Sequence, residues 1–172
     1  MYATGFPPIS RADARILILG SMPSRESLAR GRYYAHPRNA FWPIICDLLE
    51  IRSNEYAERA AQLVARRVAL WDVLQECFRP SSLDSDIEEN SIVTNDFPAF
   101  FRDHPEVGAV YFNGAKAEAV YRKRVLPRLD TEPAGLPMHR LPSTSPAHAG
   151  MSIEQKKQAW RGILQELGEM SD

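Results

Sequence analysis

Short uninterrupted apolar runs alternate along this chain with segments whose apolar residues recur every three or four positions. Ile16-Leu17-Ile18-Leu19, stopped by Gly20, offers no polar residue to water on either side. That pattern predicts a strand buried on both faces. Phe41, Ile44, Ile45, Leu48 and Leu49 then fall on one helical face, and Pro43 is compatible only with the first turn of that helix. Asn54 stands as the N-cap of a second helix running to about Arg67. Val68-Ala69-Leu70-Trp71 reads as a second buried strand ending at Asp72.

The stretch from Arg79 to Asn90 is polar and irregular and reads as a long loop. Asn95 or Asp96 caps a short helix holding Phe97, Phe100 and Phe101. Ala109-Val110-Tyr111-Phe112 is a third strand, stopped at Asn113-Gly114, and a basic helix with Lys116, Arg122, Lys123 and Arg124 follows. His139-Arg140-Leu141 reads as a fourth strand leading into the loop Pro142 to Gly150. Ser152 then caps a final helix carrying Ile153, Trp160, Ile163, Leu164 and Leu167. Strands alternating with helices predict a three-layer α/β/α sandwich around a central, mainly parallel, four-stranded sheet. In such folds ligands sit beyond the carboxyl ends of the strands. Those ends are Gly20-Ser21-Met22-Pro23-Ser24, Asp72, Asn113-Gly114 and Pro142-Ser143-Thr144-Ser145, so the unusual residues gather on one rim.

Composition narrows the picture. With 172 residues, 44% hydrophobic and 25% charged, the chain is sized for one globular domain spanning 1–172. A net charge of -1 excludes a broadly basic coat but not a local basic face. Its 2 cysteines, Cys46 and Cys77, cannot make a four-thiolate metal site, and Cys46 falls among core positions. The first ten residues lack a basic stretch leading into an apolar one, and no run is long enough to span a bilayer. The expectation is a reduced, cytoplasmic, monomeric protein with no membrane contact.

Three rim segments together resemble the uracil-DNA glycosylase superfamily, and within it the hypoxanthine (deoxyinosine) branch. The first is Leu19-Gly20-Ser21-Met22-Pro23-Ser24 with Tyr33-Tyr34-Ala35-His36-Pro37-Arg38-Asn39-Ala40-Phe41-Trp42. The second is Trp71-Asp72-Val73-Leu74, with Cys77 and Ser82-Leu83-Asp84 downstream. The third is Leu141-Pro142-Ser143-Thr144-Ser145-Pro146. The resemblance covers most of the chain and implies removal of deaminated bases from double- or single-stranded DNA, hypoxanthine first, with uracil or xanthine as further substrates. It implies no cofactor and no metal. Many members carry Asp or Asn at the third loop position, where the attacking water is held. Met22 stands there, and a thioether holds a water poorly. The resemblance passes that job to Asn39.

The same resemblance places Tyr34 where relatives stack an aromatic on the flipped base, and Asp72 where uracil-specific relatives read the base with Asn. An ionised Asp72 would accept from the ring N–H that hypoxanthine and uracil share and would repel the bare ring nitrogen of adenine. Backbone N–H groups of the loop Gly20–Ser24 would stabilise the departing base. Ser24, Ser143, Thr144 and Ser145 suit phosphate oxygens, and Pro146, Ala147 or His148 would wedge into the gap. No lysine lies in these motifs to form a Schiff base with the sugar, so a monofunctional enzyme is expected.

Plainer readings stand beside these. Asn39 is also a helix cap, Asp72 a cap or salt-bridge partner, His36 a turn residue, and 116–128 a solvated helix face. Two other functions compete. One is a serine-type esterase using Ser21 or Ser24 with His148, although Gly-x-Ser-x-Gly is absent. The other is a non-catalytic binder of damaged DNA.

Overall fold

The computed structural model describes residues 2–168, and the ends of the expected 1–172 span lie outside them. The first half of the chain runs β1 (Tyr2–Thr4), β2 (Ile16–Gly20), α1 (Arg25–Arg30), α2 (Phe41–Leu48), α3 (Tyr56–Ala65), β3 (Val68–Asp72) and β4 (Leu74–Phe78). The second half runs β5 (Val93–Thr94), α4 (Phe97–Asp103), β6 (Ala109–Asn113), α5 (Ala115–Val120), α6 (Thr131–Ala134), β7 (Met138–Leu141), α7 (Ile153–Trp160) and α8 (Gly162–Glu166).

The predicted parallel sheet is present, with strand order β3-β2-β6-β7. Every residue of β2, β3 and β6 is buried, as their unbroken apolar runs require. Alternate side chains feed two cores. Leu17, Leu19, Trp71, Val110 and Phe112 pack with α4, α5 and β4 on one face. Ile16, Ile18, Leu70 and Tyr111 pack with α2, α3, α7 and α8 on the other. Burying each such side chain contributes about 1.5–3 kcal/mol. The paired register sets Gly20 against Asp72 and Leu19 against Phe112, so the strands end level and their exits share one rim.

Several local expectations are corrected. The second strand ends at Asp72 as expected, but a strand that was not expected, β4, follows at once and pairs antiparallel with β1 and β5 in a second, three-stranded sheet. Helix α1 was not anticipated, because only Ser27 on it is buried and no apolar stripe marks it. Ser24 caps that helix by accepting from the Ser27 N–H, and Gly31 closes it at φ 65. Helix α3 starts from Glu55 rather than Asn54 and ends at Ala65. Of the two cap candidates for α4, Asp96 accepts from the Ala99 N–H at 3.1 Å, while the Asn95 amide donates to the Asp72 carbonyl at 2.7 Å. The basic helix is α5 followed by one wide turn over Tyr121–Val125 and a tight turn over Leu126–Arg128, where Pro127 has no N–H to continue it. The final helix is broken at Arg161 into α7 and α8.

Candidate active site

A cavity of about 300 Å³ opens at the carboxyl rim of the parallel sheet. Gly20, Ser21, Met22, Pro23, Ser24, Tyr34, Asn39 and Asp72 all line it, as do Ser143, Thr144, Ser145 and His148. Pro146 is the one predicted site residue that does not.

The back wall is set by sheet register. Gly20 and Asp72 are cross-strand partners, and the backbone N–H groups of Val73 and Leu74 bond to the carbonyls of Gly20 and Ser21. A Cβ on Gly20 would come within 2.5 Å of an Asp72 carboxylate oxygen and 2.7 Å of the Tyr34 hydroxyl. No side chain fits there, so the glycine lets the strand exit pass between those two groups. Asp72 is 3% exposed, and among the described residues its Oδ2 has no hydrogen-bond partner. Burial, reinforced by the Asp84 carboxylate and opposed by the Arg79 guanidinium, pushes the Asp72 carboxyl up to about 7. Asp72 is therefore neither the cap nor the ion-pair partner that its position alone allowed.

Tyr34 adopts the left-handed conformation, φ 55, which costs a non-glycine residue on the order of 1 kcal/mol. The neighbouring Ala35 N–H bonds to the Ser27 hydroxyl at 3.0 Å and the Tyr33 N–H to the Tyr56 hydroxyl at 3.0 Å, which hold that turn. One face of the Tyr34 ring stacks on Phe41 with centroids 4.2 Å apart. Among the described residues its buried hydroxyl has no hydrogen-bond partner. Burial and the Asp72 and Asp84 carboxylates push the phenol well above its ordinary range, against a smaller pull from the Asn113 side chain.

Asn39 is half-buried, and both readings of it hold in the geometry. Its side-chain carbonyl accepts from the Phe41 N–H at 2.9 Å, capping α2, whose Ala40 supplies no side-chain cap. The same amide lines the cavity. One carbonyl lone pair is committed to the helix, which locks the group's direction, and the other remains for a ligand.

The 142–148 loop forms the opposite wall. Thr144 is 1% exposed. Its N–H and hydroxyl exchange hydrogen bonds with the Asn113 amide, each at 2.9 Å, and its carbonyl accepts from the Ala40 N–H at 3.0 Å. The expected phosphate contact is thus an internal anchor. Trp160 donates to the Pro142 carbonyl at 2.9 Å, and buried Lys156 lies 3.5 Å from the Ser145 carbonyl. Ser143 and Ser145 are half-buried, while Ala147 and His148 are exposed at the tip.

Sequence reasoning missed the third wall. The segment after β4 is tied to the Gly20–Ser24 loop at several points. Ser21 donates to Asp84 at 2.6 Å, Arg79 donates to the Pro23 carbonyl at 2.5 Å, and the Arg25 N–H bonds to the Ser82 hydroxyl at 3.0 Å. Arg79 is 2% exposed, and among the described residues its Nε and Nη1 have no hydrogen-bond partner. Asp84 sits in a stretch already quoted for the resemblance, and Asn113 at a noted strand end, but nothing in the sequence marks Arg79 as buried. The hydroxyls considered for an esterase are engaged elsewhere, Ser21 with Asp84 and Ser24 with Ser27. The cations Lys116, Arg122 and Arg124 pair with Glu89 or Glu118 away from the cavity. Among the described residues no group of three or more His, Cys, Asp or Glu is placed to hold a metal ion, and no helix is long and apolar enough to cross a membrane.

Comparison with known proteins agrees with this architecture. A profile of the Uracil DNA glycosylase superfamily matches residues 7–168. A protein of Methanosarcina acetivorans named hypoxanthine DNA glycosylase is 35% identical over 119 residues, covering 68% of this chain and 74% of that protein. A protein of the same name from Methanosarcina barkeri is 34% identical over the same shares. The solution NMR structure of a candidate uracil DNA glycosylase from Methanosarcina acetivorans superposes with a TM-score of 0.80 at 30% identity, covering 98% of this chain and 99% of that one. The rim cavity, the parallel sheet beneath it and these matches lead to one conclusion: the chain belongs to the uracil DNA glycosylase superfamily.

Proposed function

We propose that this protein is a DNA glycosylase that hydrolyses the N-glycosidic bond of deaminated bases, hypoxanthine foremost, in DNA. The observation that carries the reading is that Tyr34, Asn39 and Asp72 line one cavity at the sheet rim, where the Tyr34 hydroxyl and an Asp72 carboxylate oxygen have no hydrogen-bond partner among the described residues. Named relatives point to the same chemistry.

The target bond is inaccessible in a duplex, so the nucleotide is flipped out at a cost of a few kcal/mol, less at a mispair. Tyr34, braced on Phe41, offers an aromatic surface to the extruded base, a contact of about 1–3 kcal/mol. The Asn39 carbonyl holds a water facing the anomeric carbon. It cannot take a proton usefully, and it does not need to where bond breaking runs ahead of attack. Its cap bond to Phe41 fixes that direction. Negative charge on the departing base is met by N–H groups of the Gly20–Ser24 loop.

Asp72 reads the base edge in its ionised form, accepting from the ring N–H beside the carbonyl of hypoxanthine. Its neutral form donates as well as accepts and can pair with adenine. A carboxyl near pH 7 therefore makes selectivity pH-dependent: discrimination against adenine rises as pH passes upward through about 7. Ser143 and Ser145 contact backbone phosphates, and Ala147 or His148 enters the gap left by the flipped nucleotide. The enzyme acts without cleaving the strand itself.

The test is an excision assay on duplex and single-stranded oligonucleotides carrying hypoxanthine, uracil, xanthine or adenine, with and without alkali. Hypoxanthine is released fastest, and strand breaks follow only after alkali. Release of none of these bases would overturn the reading.

A further inference from the structure

Among the described residues Arg79 is the largest buried charged side chain, and the fold gives it little. Its Nη2 donates to the Pro23 carbonyl at 2.5 Å, while Nε and Nη1 are buried with no hydrogen-bond partner among the described residues. Stripping a guanidinium of water without a paired carboxylate is costly. Its charge is nevertheless felt at the cavity, where it opposes the upward shift of both Asp72 and Asp84.

The single bond it makes has a direct consequence for the site. The Pro23 carbonyl and the Ser24 N–H are two ends of one peptide unit. Among the described residues no peptide is cis, so this unit is trans and planar and its C=O and N–H point opposite ways. With the carbonyl turned into the interior toward Arg79, the Ser24 N–H is turned the other way, on a segment whose Pro23 and Ser24 line the cavity. That N–H makes no hydrogen bond among the described residues, since Ser24 caps α1 through its side chain. A cation on the carbonyl oxygen polarises the peptide and strengthens the N–H at its far end as a donor.

We propose that Arg79 is a positioning residue for base release: through the Pro23–Ser24 peptide it orients and polarises the Ser24 N–H toward the negative charge that develops on the departing base. The proposal rests on the glycosylase reading and deepens it. Arg79 touches neither the base nor the sugar. It acts from behind the cavity wall, with a charge that stays in place throughout the reaction.

The distinguishing prediction is dependence on leaving-group acidity. A base that is a stronger N–H acid carries its charge unaided and needs the donor less. Single-turnover release is measured for hypoxanthine and for its more acidic 2-fluoro analogue, in the wild type, Arg79→Met and Arg79→Lys. Arg79→Met slows hypoxanthine release by about 10²–10³-fold and release of the fluorinated base by markedly less, and Arg79→Lys recovers part of the difference. A second pair of variants tests the same peptide without touching Arg79. Ser24 has φ -66, which proline adopts freely, so Ser24→Pro removes the N–H together with the hydroxyl, whereas Ser24→Ala keeps the N–H and removes only the hydroxyl with its bonds to Ser27. Ser24→Pro reproduces the selective loss on hypoxanthine, and Ser24→Ala does not. Equal losses on both bases in Arg79→Met, or indistinguishable Ser24→Pro and Ser24→Ala, would overturn the proposal while leaving the glycosylase reading intact. A wild type that releases neither base overturns both.

Discussion

The two facing walls of the cavity are built on opposite terms. On the strand-end wall the fold buries polar atoms and leaves them unmatched: among the described residues the Tyr34 hydroxyl and Asp72 Oδ2 have no hydrogen-bond partner. Across the gap, Thr144 is bonded through N–H, hydroxyl and carbonyl, and Trp160 holds the Pro142 carbonyl. Each unsatisfied buried group costs about 1–3 kcal/mol. The first wall therefore gives up stability where a base can supply the missing partners, and the second is a rigid frame carrying an exposed tip at Ala147 and His148.

The sharpest way to break this contrast is Gly20→Ala. Its methyl group collides with the Asp72 carboxyl and the Tyr34 hydroxyl, which must move together. Base release falls by about 10²-fold or more, and thermal unfolding shows a loss of about 1–3 kcal/mol. Asp72→Asn comes next and acts in the other direction on stability. The Asp72 carboxyl is raised from 3.8 to about 7, so the fold favours its neutral form. Stability conferred by that neutral form is full below about pH 4 and is lost as pH climbs to about 7. Denaturant unfolding across this window finds Asp72→Asn gaining on the wild type as pH rises, by on the order of a few kcal/mol, with the gain levelling off above about 7. In the same variant the pH-dependent selectivity between hypoxanthine and adenine disappears.

On the framing wall the effects are smaller. Thr144→Val removes a hydroxyl that Asn113 bonds and costs about 1–3 kcal/mol, read by denaturant midpoint. His148→Ala, at the exposed tip, leaves stability within about 0.5 kcal/mol and weakens DNA binding in an anisotropy titration.

How far all this could be read in advance follows from the same physics. The strands β2, β3 and β6 were legible because a strand buried on both faces has to be apolar throughout, and their glycine, aspartate and asparagine ends marked the rim. The three-stranded sheet was not legible: Tyr2 pairs with Phe78 across most of the first half of the chain, and short half-exposed strands carry weak alternation. Tyr34, Asn39 and Asp72 came forward through their resemblance to a known pattern, and none would stand out by residue type alone. Arg79 was invisible because a buried arginine is spelled like a surface one. What hides it is a carbonyl 56 positions earlier, an encounter created only by the fold.

The central claim is that the Asn39 amide serves the reaction as well as the helix. Removing it costs the α2 cap about 1 kcal/mol, so the comparison is made well below the melting temperature, with binding to the lesion duplex and single-turnover release of hypoxanthine measured on one preparation. The account predicts that Asn39→Ala binds the duplex as tightly as the wild type and releases the base at least about 10²-fold more slowly. Release at the wild-type rate by a variant that binds normally would contradict it.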